Sequence, residues 1–352
     1  MVFEMNKVSK LSILFSIFLI SPVFAEDSEE KMLPEIKVSS DAYATPPLTE
    51  AAPEESEGKI YSGKKVTITN LEALPEITSN NYRQTFSQTP GLLVSEVPNE
   101  SFASFSYRGL GDPHETFNIN VLQDDIPINF DLYGYPAAYY TPPSDFVEQV
   151  EFINGGASLL YGPQPGGALN FRTRIPAMDT PLAARTKHVF GSKNLYSTYN
   201  EVSGTDEDTS YLLAYHHREF DGFREVNSDS RIDFGSLKLA QQLTGSTKLF
   251  FEQDVYEGTF GEAGGLTLAQ GPNLANYDQD RWQSSLRFDT LKIRRYITTA
   301  GIEHEYDAAT KIYAKLWGGY NSRDSYRQSY GTAPTFGGIA NGTTNIIQSQ
   351  EF

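Results

Sequence analysis

Along this chain, apolar and polar side chains follow one rhythm before Pro176 and another after it. Past that proline, segments of strict alternation are separated by polar turns. In KIYAKLWGGYN (311–321), Ile312, Ala314, Leu316, Gly318 and Tyr320 share one face, while Lys311, Tyr313, Lys315, Trp317 and Asn321 share the other. The stretches SYLLAYHHR (210–218), SLKLAQQL (236–243), TKLFFEQDVY (247–256) and TTAGIEHEY (298–306) repeat the pattern. A period of two predicts a β-strand with two unlike faces. A strand set between hydrocarbon and a polar lumen needs that period. A half-buried strand of a soluble antiparallel sheet needs it too, so the alternation alone leaves both readings open. Residues 177–352 hold roughly eight such segments when each is measured against the ~10-residue membrane strand.

Between Ile60 and Pro176 the pattern is that of a packed α+β domain. Strand-like runs stand at VTIT (66–69), INVLQDDIPI (119–128), VEQVEFI (147–153) and ALNFRT (168–173), and a helical turn is predicted around Asn81–Thr89, stopped by Pro90-Gly91. Glycines cluster at Gly109-Leu110-Gly111, Gly155-Gly156, Gly162-Pro163 and Gly166-Gly167, where the backbone must turn tightly or be closely approached. No Gly-Lys-Ser/Thr follows and no strand–GxGxxG–helix unit surrounds them, so they do not read as a phosphate cradle.

The first sixty residues divide differently. Lys7 and Lys10 precede an apolar run from Leu11 to Ile20, then Pro22 and the small residue Ala25. This is expected to be a secretory signal (1–25) cleaved after Ala25, because the run is shorter than the ~20 residues a spanning helix needs. From Glu26 to Ile60, ten acidic side chains stand against three lysines, with few large apolar groups to offset the entropy of ordering. A flexible acidic linker (26–59) is expected. Inside it, Leu33-Pro34-Glu35-Ile36-Lys37-Val38-Ser39 alternates like a short strand and could add to the edge of a partner's sheet.

Composition narrows the function. With 45 acidic against 28 basic residues, the formal charge is −17, which argues against a nucleic-acid partner. The 22 Phe, 21 Tyr and 28 Gly favour β-structure. The absence of Cys excludes disulfides, thiolate nucleophiles and Cys-based metal centres. His216 and His217 face opposite ways in a strand and cannot ligate one metal from a regular sheet, and Asp124-Asp125 face apart likewise unless they form a turn. No Ser/His/Asp arrangement carries supporting motifs, so no enzyme and no cofactor is expected.

The series RQTFSQTPGLLVSE (83–96), SYRGLG (106–111), VLQDDIPI (121–128) and VEQVEFINGGASLLYGPQPGGALNFRTR (147–174) resembles the plug domain of TonB-dependent outer-membrane receptors, most of all their ferric-citrate and siderophore branch. The resemblance implies an α+β plug (60–176) inside an antiparallel transmembrane β-barrel, which in complete members has 22 strands. It also implies placement in the outer membrane among its lipids, a TonB-type energy-transducing partner, and a ferric siderophore or other metal chelate as cargo. LPEIKVS then stands where a TonB box is expected, with Leu33, Pro34, Glu35, Ile36, Lys37 and Val38 as TonB-binding residues. An eight-stranded barrel is only wide enough for its own side chains, so 177–352 is expected to be a partial barrel. The terminal stretch GTAPTFGGIANGTTNIIQSQEF is expected to be a surface loop and not a last strand.

If the loops lie at the plug apex as in that family, Arg108, His114, Tyr133, Tyr135, Tyr139 and Tyr140 are the candidate ligand-binding residues. Tyrosine joins a broad apolar face to a hydroxyl that bonds oxygen-rich ligands, but the same cluster could equally be a structural network at the plug–barrel seam. The loop GDPHETFNIN (111–120) holds no Arg or Lys, a departure from the arginine-lined ferric-citrate receptors that leaves the chelate's chemistry open. The alternative to an importer is a non-transporting remnant or a signal-transducing receptor of the same family. A transducer would carry a further folded domain before the box, and only Glu26 to Met32 lie between the signal and Leu33.

Overall fold

The computed structural model describes residues 49–50, 55–56, 59–60, 65–74, 82–87, 89–96, 102–110, 118–128, 140–154, 161, 164–266, 274–276, 280–284, 286–328 and 345–351. The signal segment, the Leu33–Val38 box, His114, Tyr133, Tyr135 and Tyr139 lie outside the described residues.

Short strands open the described chain: β1 (Thr49–Glu50), β2 (Glu55–Ser56) and β3 (Lys59–Ile60). The plug proper follows with β4 (Lys65–Asn70), α1 (Tyr82–Thr85), β5 (Leu92–Glu96), β6 (Ala103–Tyr107), β7 (Asn120–Gln123), β8 (Ile126–Pro127), β9 (Val147–Asn154) and β10 (Ala168–Thr173). Its main sheet has the order β1-β4-β9-β10-β7-β8, while β5 and β6 pair separately. The central strands are runs of β-branched and aromatic residues, and in β9 and β10 both faces are covered, since Val150, Phe152, Ile153, Leu169 and Phe171 are all buried. Tyr82 and Phe86, on α1 and the turn after it, meet Phe171 and Phe105 mostly edge to face at 5.6–6.4 Å.

Two features of the plug chain are dictated by backbone geometry. Asp124 and Asp125 join β7 to β8 with φ of 47° and 67°, the pair of left-handed residues that a tight hairpin turn requires and that Asp tolerates. Gly167 enters β10 at φ +96°, and a Cβ there would stand 2.0 Å from the carbonyl oxygen of Ile153. Only glycine fits that approach of β10 to β9.

Eight strands then form one antiparallel meander: β11 (Ala183–Phe190), β12 (Tyr196–Asp206), β13 (Thr209–Phe220), β14 (Ser230–Thr244), β15 (Thr247–Gly261), β16 (Thr290–Asp307), β17 (Thr310–Gln328) and β18 (Asn345–Glu351). Each pairs with its neighbours in sequence. Tight turns at Glu207-Asp208, Gly245-Ser246 and Ala308-Ala309 mark one end of this wall, and the longer connections 191–195, 221–229 and 262–289 mark the other. The terminal segment departs from expectation: Asn345–Glu351 pairs in register with Ser322–Gln328 of β17. Its Gly- and Thr-rich composition belongs to the residues before it, and backbone pairing with β17 does not require an apolar alternation.

Burial alternates along the wall as the sequence does. In β13, Ser210, Leu212, Ala214, His216, Arg218 and Phe220 point inward and are buried, whereas Leu213 points outward and is exposed. Leu239, Leu249, Phe251, Val255, Ile312 and Leu316 continue the exposed apolar band on the outer face. Tyr296 and Tyr320 stack at 6.0 Å beside that band. Nearer the longer connections, the same face turns charged, with Arg231 bridging Glu219 and Asp233 at 3.0 Å each and Arg294 paired to Asp324. An apolar belt edged by tyrosine and then by charge is the outer surface of a membrane barrel wall. Among the described residues no helix is long and apolar enough to cross a bilayer.

The core is continuous between plug and wall. Phe146, Val150 and Phe171 share one buried apolar cluster with Tyr199, Leu212, Phe234, Tyr256, Phe260 and Ile293. Phe146 lies 4.9 Å from Phe234 between ring centroids.

Candidate functional site

The plug meets the wall through two unlike contacts. In the first, the β7–β8 turn is driven against the inner face of β14–β17. The Asp124 carboxylate accepts bonds from the Thr173 amide (3.0 Å) and hydroxyl, and it lies 3.3 Å from the Lys238 ammonium. Lys238 also bonds the Thr173 hydroxyl and faces Glu252 at 3.4 Å, while Lys315 donates to the Asp124 carbonyl at 2.8 Å. Burial alone would raise the Asp124 pKa, but the Lys238 charge and the Thr173 donors outweigh it and hold the carboxyl below its usual range. The partner turn residue looks back into the plug. Asp125 accepts from Arg172 (2.8 Å), Asn170 (2.9 Å) and Tyr161 (2.9 Å), and Arg172 and Asn170 also reach Glu151 at 3.0 Å.

One residue earlier, Gln123 spans the seam. Its amide donates to Asp254 of β15 at 2.6 Å, and its carbonyl accepts from the Tyr140 hydroxyl at 2.8 Å. Tyr140 is 2% exposed, sits edge-on to Tyr256 at 4.8 Å, and carries the Arg295 guanidinium over its ring at 4.9 Å. Burial and the nearby Asp254 charge push its hydroxyl well above the ordinary tyrosine pKa. Of the sequence-derived ligand candidates, the structure thus describes Tyr140 in a seam network, as well as Arg108. Arg108 is exposed at the end of β6 with φ 49°, its amide donates to Gly91 at 2.8 Å, and its guanidinium lies 5.1 Å from the Tyr107 ring. The described contacts of Arg108 and Tyr140 share no partner.

The second contact lies against β11 and β12, and it is open. A cavity of about 310 Å³ separates plug from wall there, lined by Glu72, Asp145 and Arg174 on the plug side and by Arg185, Lys187 and Tyr199 on the wall. Glu72 pairs with Arg174 (2.6 Å) and Arg185 (3.0 Å), and Lys187 pairs with Asp145 (2.9 Å). The Tyr199 hydroxyl donates to Glu201. Glu148, on β9 nearby, is raised above the usual carboxylate range by burial and by the Glu72 charge.

The described histidines do not converge. The buried His216 ring lies 3.3 Å from the Ser197 hydroxyl on the inner face, and His217 bonds Asp233 at 2.8 Å on the outer one. No group of three or more His, Cys, Asp or Glu among the described residues could hold a metal ion. The seam residues Lys238, Glu252, Asp254 and Arg295 escape sequence reasoning except for one signal: each is a charged residue at an inward position of an alternating strand.

Comparison with known proteins agrees with this architecture. Residues 59–169 match the family model of the TonB-dependent receptor plug domain. The ferrioxamine B receptor of Salmonella typhimurium is 25% identical over 195 residues, which is 55% of this chain and 26% of that protein. Among solved structures, the ferric citrate transporter FecA in its unliganded form superposes with a TM-score of 0.64 at 25% identity, covering 76% of this chain and 41% of the other. The outer-membrane ferripyoverdine receptor of Pseudomonas aeruginosa, bound to ferripyoverdine, gives 0.63 at 17% identity and covers 86% and 40%. The chain therefore spans less than half the length of the solved receptors it matches.

Proposed function

Because the chain belongs to the TonB-dependent receptors of the outer membrane, we propose that it serves the energised import of a ferric chelate, with the plug as gate and no chemistry of its own. The observation that carries this reading is the seating of a plug-family domain against the buried inner face of an antiparallel wall whose outer face is an apolar belt. A plug so placed blocks the lumen it sits in, and passage requires it to move. The exposed Arg108 and the tyrosine-rich sequence holding Tyr133, Tyr135 and Tyr139 would supply cation, ring faces and hydroxyls for an oxygen-rich ferric complex. The likeness to a ferrioxamine B receptor and a ferric citrate transporter supports a substrate among ferric siderophores and carboxylate chelates. Leu33–Val38 is the segment proposed to pair with the TonB-type partner as an added strand.

The test is uptake of radio-iron chelates by cells carrying the native gene. Arg108→Ala and Tyr135→Ala are expected to weaken chelate binding without loss of receptor from the outer membrane. Ile36→Pro removes one backbone donor from the added strand and is expected to abolish uptake while binding is kept. Wild-type uptake by the proline variant would overturn the assignment of that segment.

A further inference from the structure

Resting on the import reading above, we propose that the plug yields on its β11–β12 side and pivots on its β14–β16 side, so that a negatively charged chelate leaves the lumen along the wall bearing Arg185 and Lys187. The two sides of the seam differ in what separation exposes. Against β14–β16, the contact is dry: Phe146 packs on Phe234, Tyr140 on Tyr256, and Asp124, Lys238 and Gln123 are bonded with little solvent. Opening that side would strip the partners from buried charges and bare apolar surface together. Against β11–β12, the cavity already keeps the surfaces apart; of the ion pairs that cross it, Lys187–Asp145 and Arg174–Glu201 are mostly buried, and Glu72–Arg185 is nearly half exposed on both members. Exposed pairs of this kind resist separation weakly.

The distribution of sign adds the substrate class. Two of the three crossing pairs, Glu72–Arg185 and Asp145–Lys187, put the acid on the plug and the cation on the wall, and the third, Arg174–Glu201, runs the other way. When the plug moves, it carries away Glu72, Asp145 and Arg174 and leaves Arg185, Lys187 and Glu201 beside the opening, a net excess of one cation, with Glu201 still bonded to Tyr199. The resting pairs therefore mask a net cationic lining that is bared when the plug moves, and an anion passing there meets favourable charge.

The 352 residues contain no cysteine, so thiol pairs can be placed cleanly. Glu72→Cys with Arg185→Cys would bridge the cavity side, and Gln123→Cys with Asp254→Cys the dry side, each closed with a short bis-methanethiosulfonate reagent that a reductant cleaves. Both are introduced in the native gene, and uptake of radio-iron ferric citrate and ferrioxamine B is read with cell-surface binding before bridging, after bridging and after reduction. The expected result is loss of uptake on bridging 72 to 185, restored by reductant, with uptake retained on bridging 123 to 254. Loss only at the dry side, or equal behaviour of the two bridges, would overturn the proposed route. Binding without uptake by the unsubstituted receptor would overturn the import reading instead.

Discussion

Replacing Lys238 by Met tests the dry seam at its centre. The ammonium stands 3.3 Å from Asp124 and 3.4 Å from Glu252, with side-chain exposures of 12%, 18% and 16% for the three residues. Methionine keeps most of the volume and the contact with the Phe146 ring, whose centroid is 5.4 Å from the Lys238 nitrogen. What remains is two mostly desolvated carboxylates with no cation between them, and removing one partner of a buried pair costs about 3–5 kcal/mol. Asp124→Asn removes one of those charges and keeps an acceptor for the Thr173 amide in a left-handed turn position that Asn adopts readily. In the double variant one of the two stranded charges is gone and Glu252 remains, so the combined loss should fall short of the sum by about 1–2 kcal/mol. Guanidinium unfolding of the detergent-purified protein, followed by tyrosine and tryptophan fluorescence, measures the cycle. Additivity to within about 0.5 kcal/mol would refute the coupling on which this account of the seam rests.

Three further outcomes are expected. Tyr140→Phe leaves the Gln123 carbonyl without its donor and should cost about 1–2 kcal/mol of stability, and a fall in chelate affinity at unchanged stability would instead make Tyr140 a ligand residue. Gly167→Ala forces a Cβ to 2.0 Å from the Ile153 oxygen at φ +96°, so plug assembly should fail, seen as loss of protease resistance in residues 60–176. Glu148→Gln should stabilise at neutral pH: because the folded pKa lies above the ordinary 4.5, the wild-type residue opposes folding increasingly as pH rises through that interval, and the gap to the variant should narrow as pH falls toward 4.5. A gap that widens on acidification would reverse the sign. Asp124 behaves oppositely, its contribution being complete above 3.8 and lost only as pH falls through its lower folded value.

How much of this was legible beforehand depended on whether the information was local. The dyad alternation of 311–321 and its fellows reads directly as faces, because a strand's side chains alternate whatever it packs on, and His216 and His217 fall on opposite sides as that rule demands. The strand lengths were underestimated, since β16 and β17 run on past the apolar belt into a charged zone where alternation no longer carries hydrophobic contrast. Strand β18 was missed because backbone pairing has no compositional signature. At the site, Asp124-Asp125 stood inside a strand-like run with a turn only left open, and the turn's partner Lys238 lies 114 residues away, so that only the fold brings them together. Tyr140 shows the same limit: its neighbours in sequence suggest a ligand loop, whereas its contacts with Gln123, Tyr256 and Arg295 are those of the seam. The cavity has no linear counterpart at all, being a gap between surfaces that are far apart in the chain.

The meander of β11–β18 has a kinetic consequence. Every rung of the wall joins strands adjacent in sequence, so each hairpin can close over a loop of a few to a few tens of residues and then serve as the template for the next. The plug sheet is built otherwise, for β4 pairs with β9 some eighty residues on, and β10 lies parallel to β7 across a long crossover. Its closure entropy is larger and its search slower. The wall can therefore zip by successive local steps while the plug is still searching, and the inward charges Lys238, Asp254 and Arg295 would spend that interval in water before the plug reaches them. A slow final phase in refolding, visible in the burial of Tyr140 and Tyr256 and carrying only the plug's smaller share of the β-sheet signal, is what this order of events would leave behind.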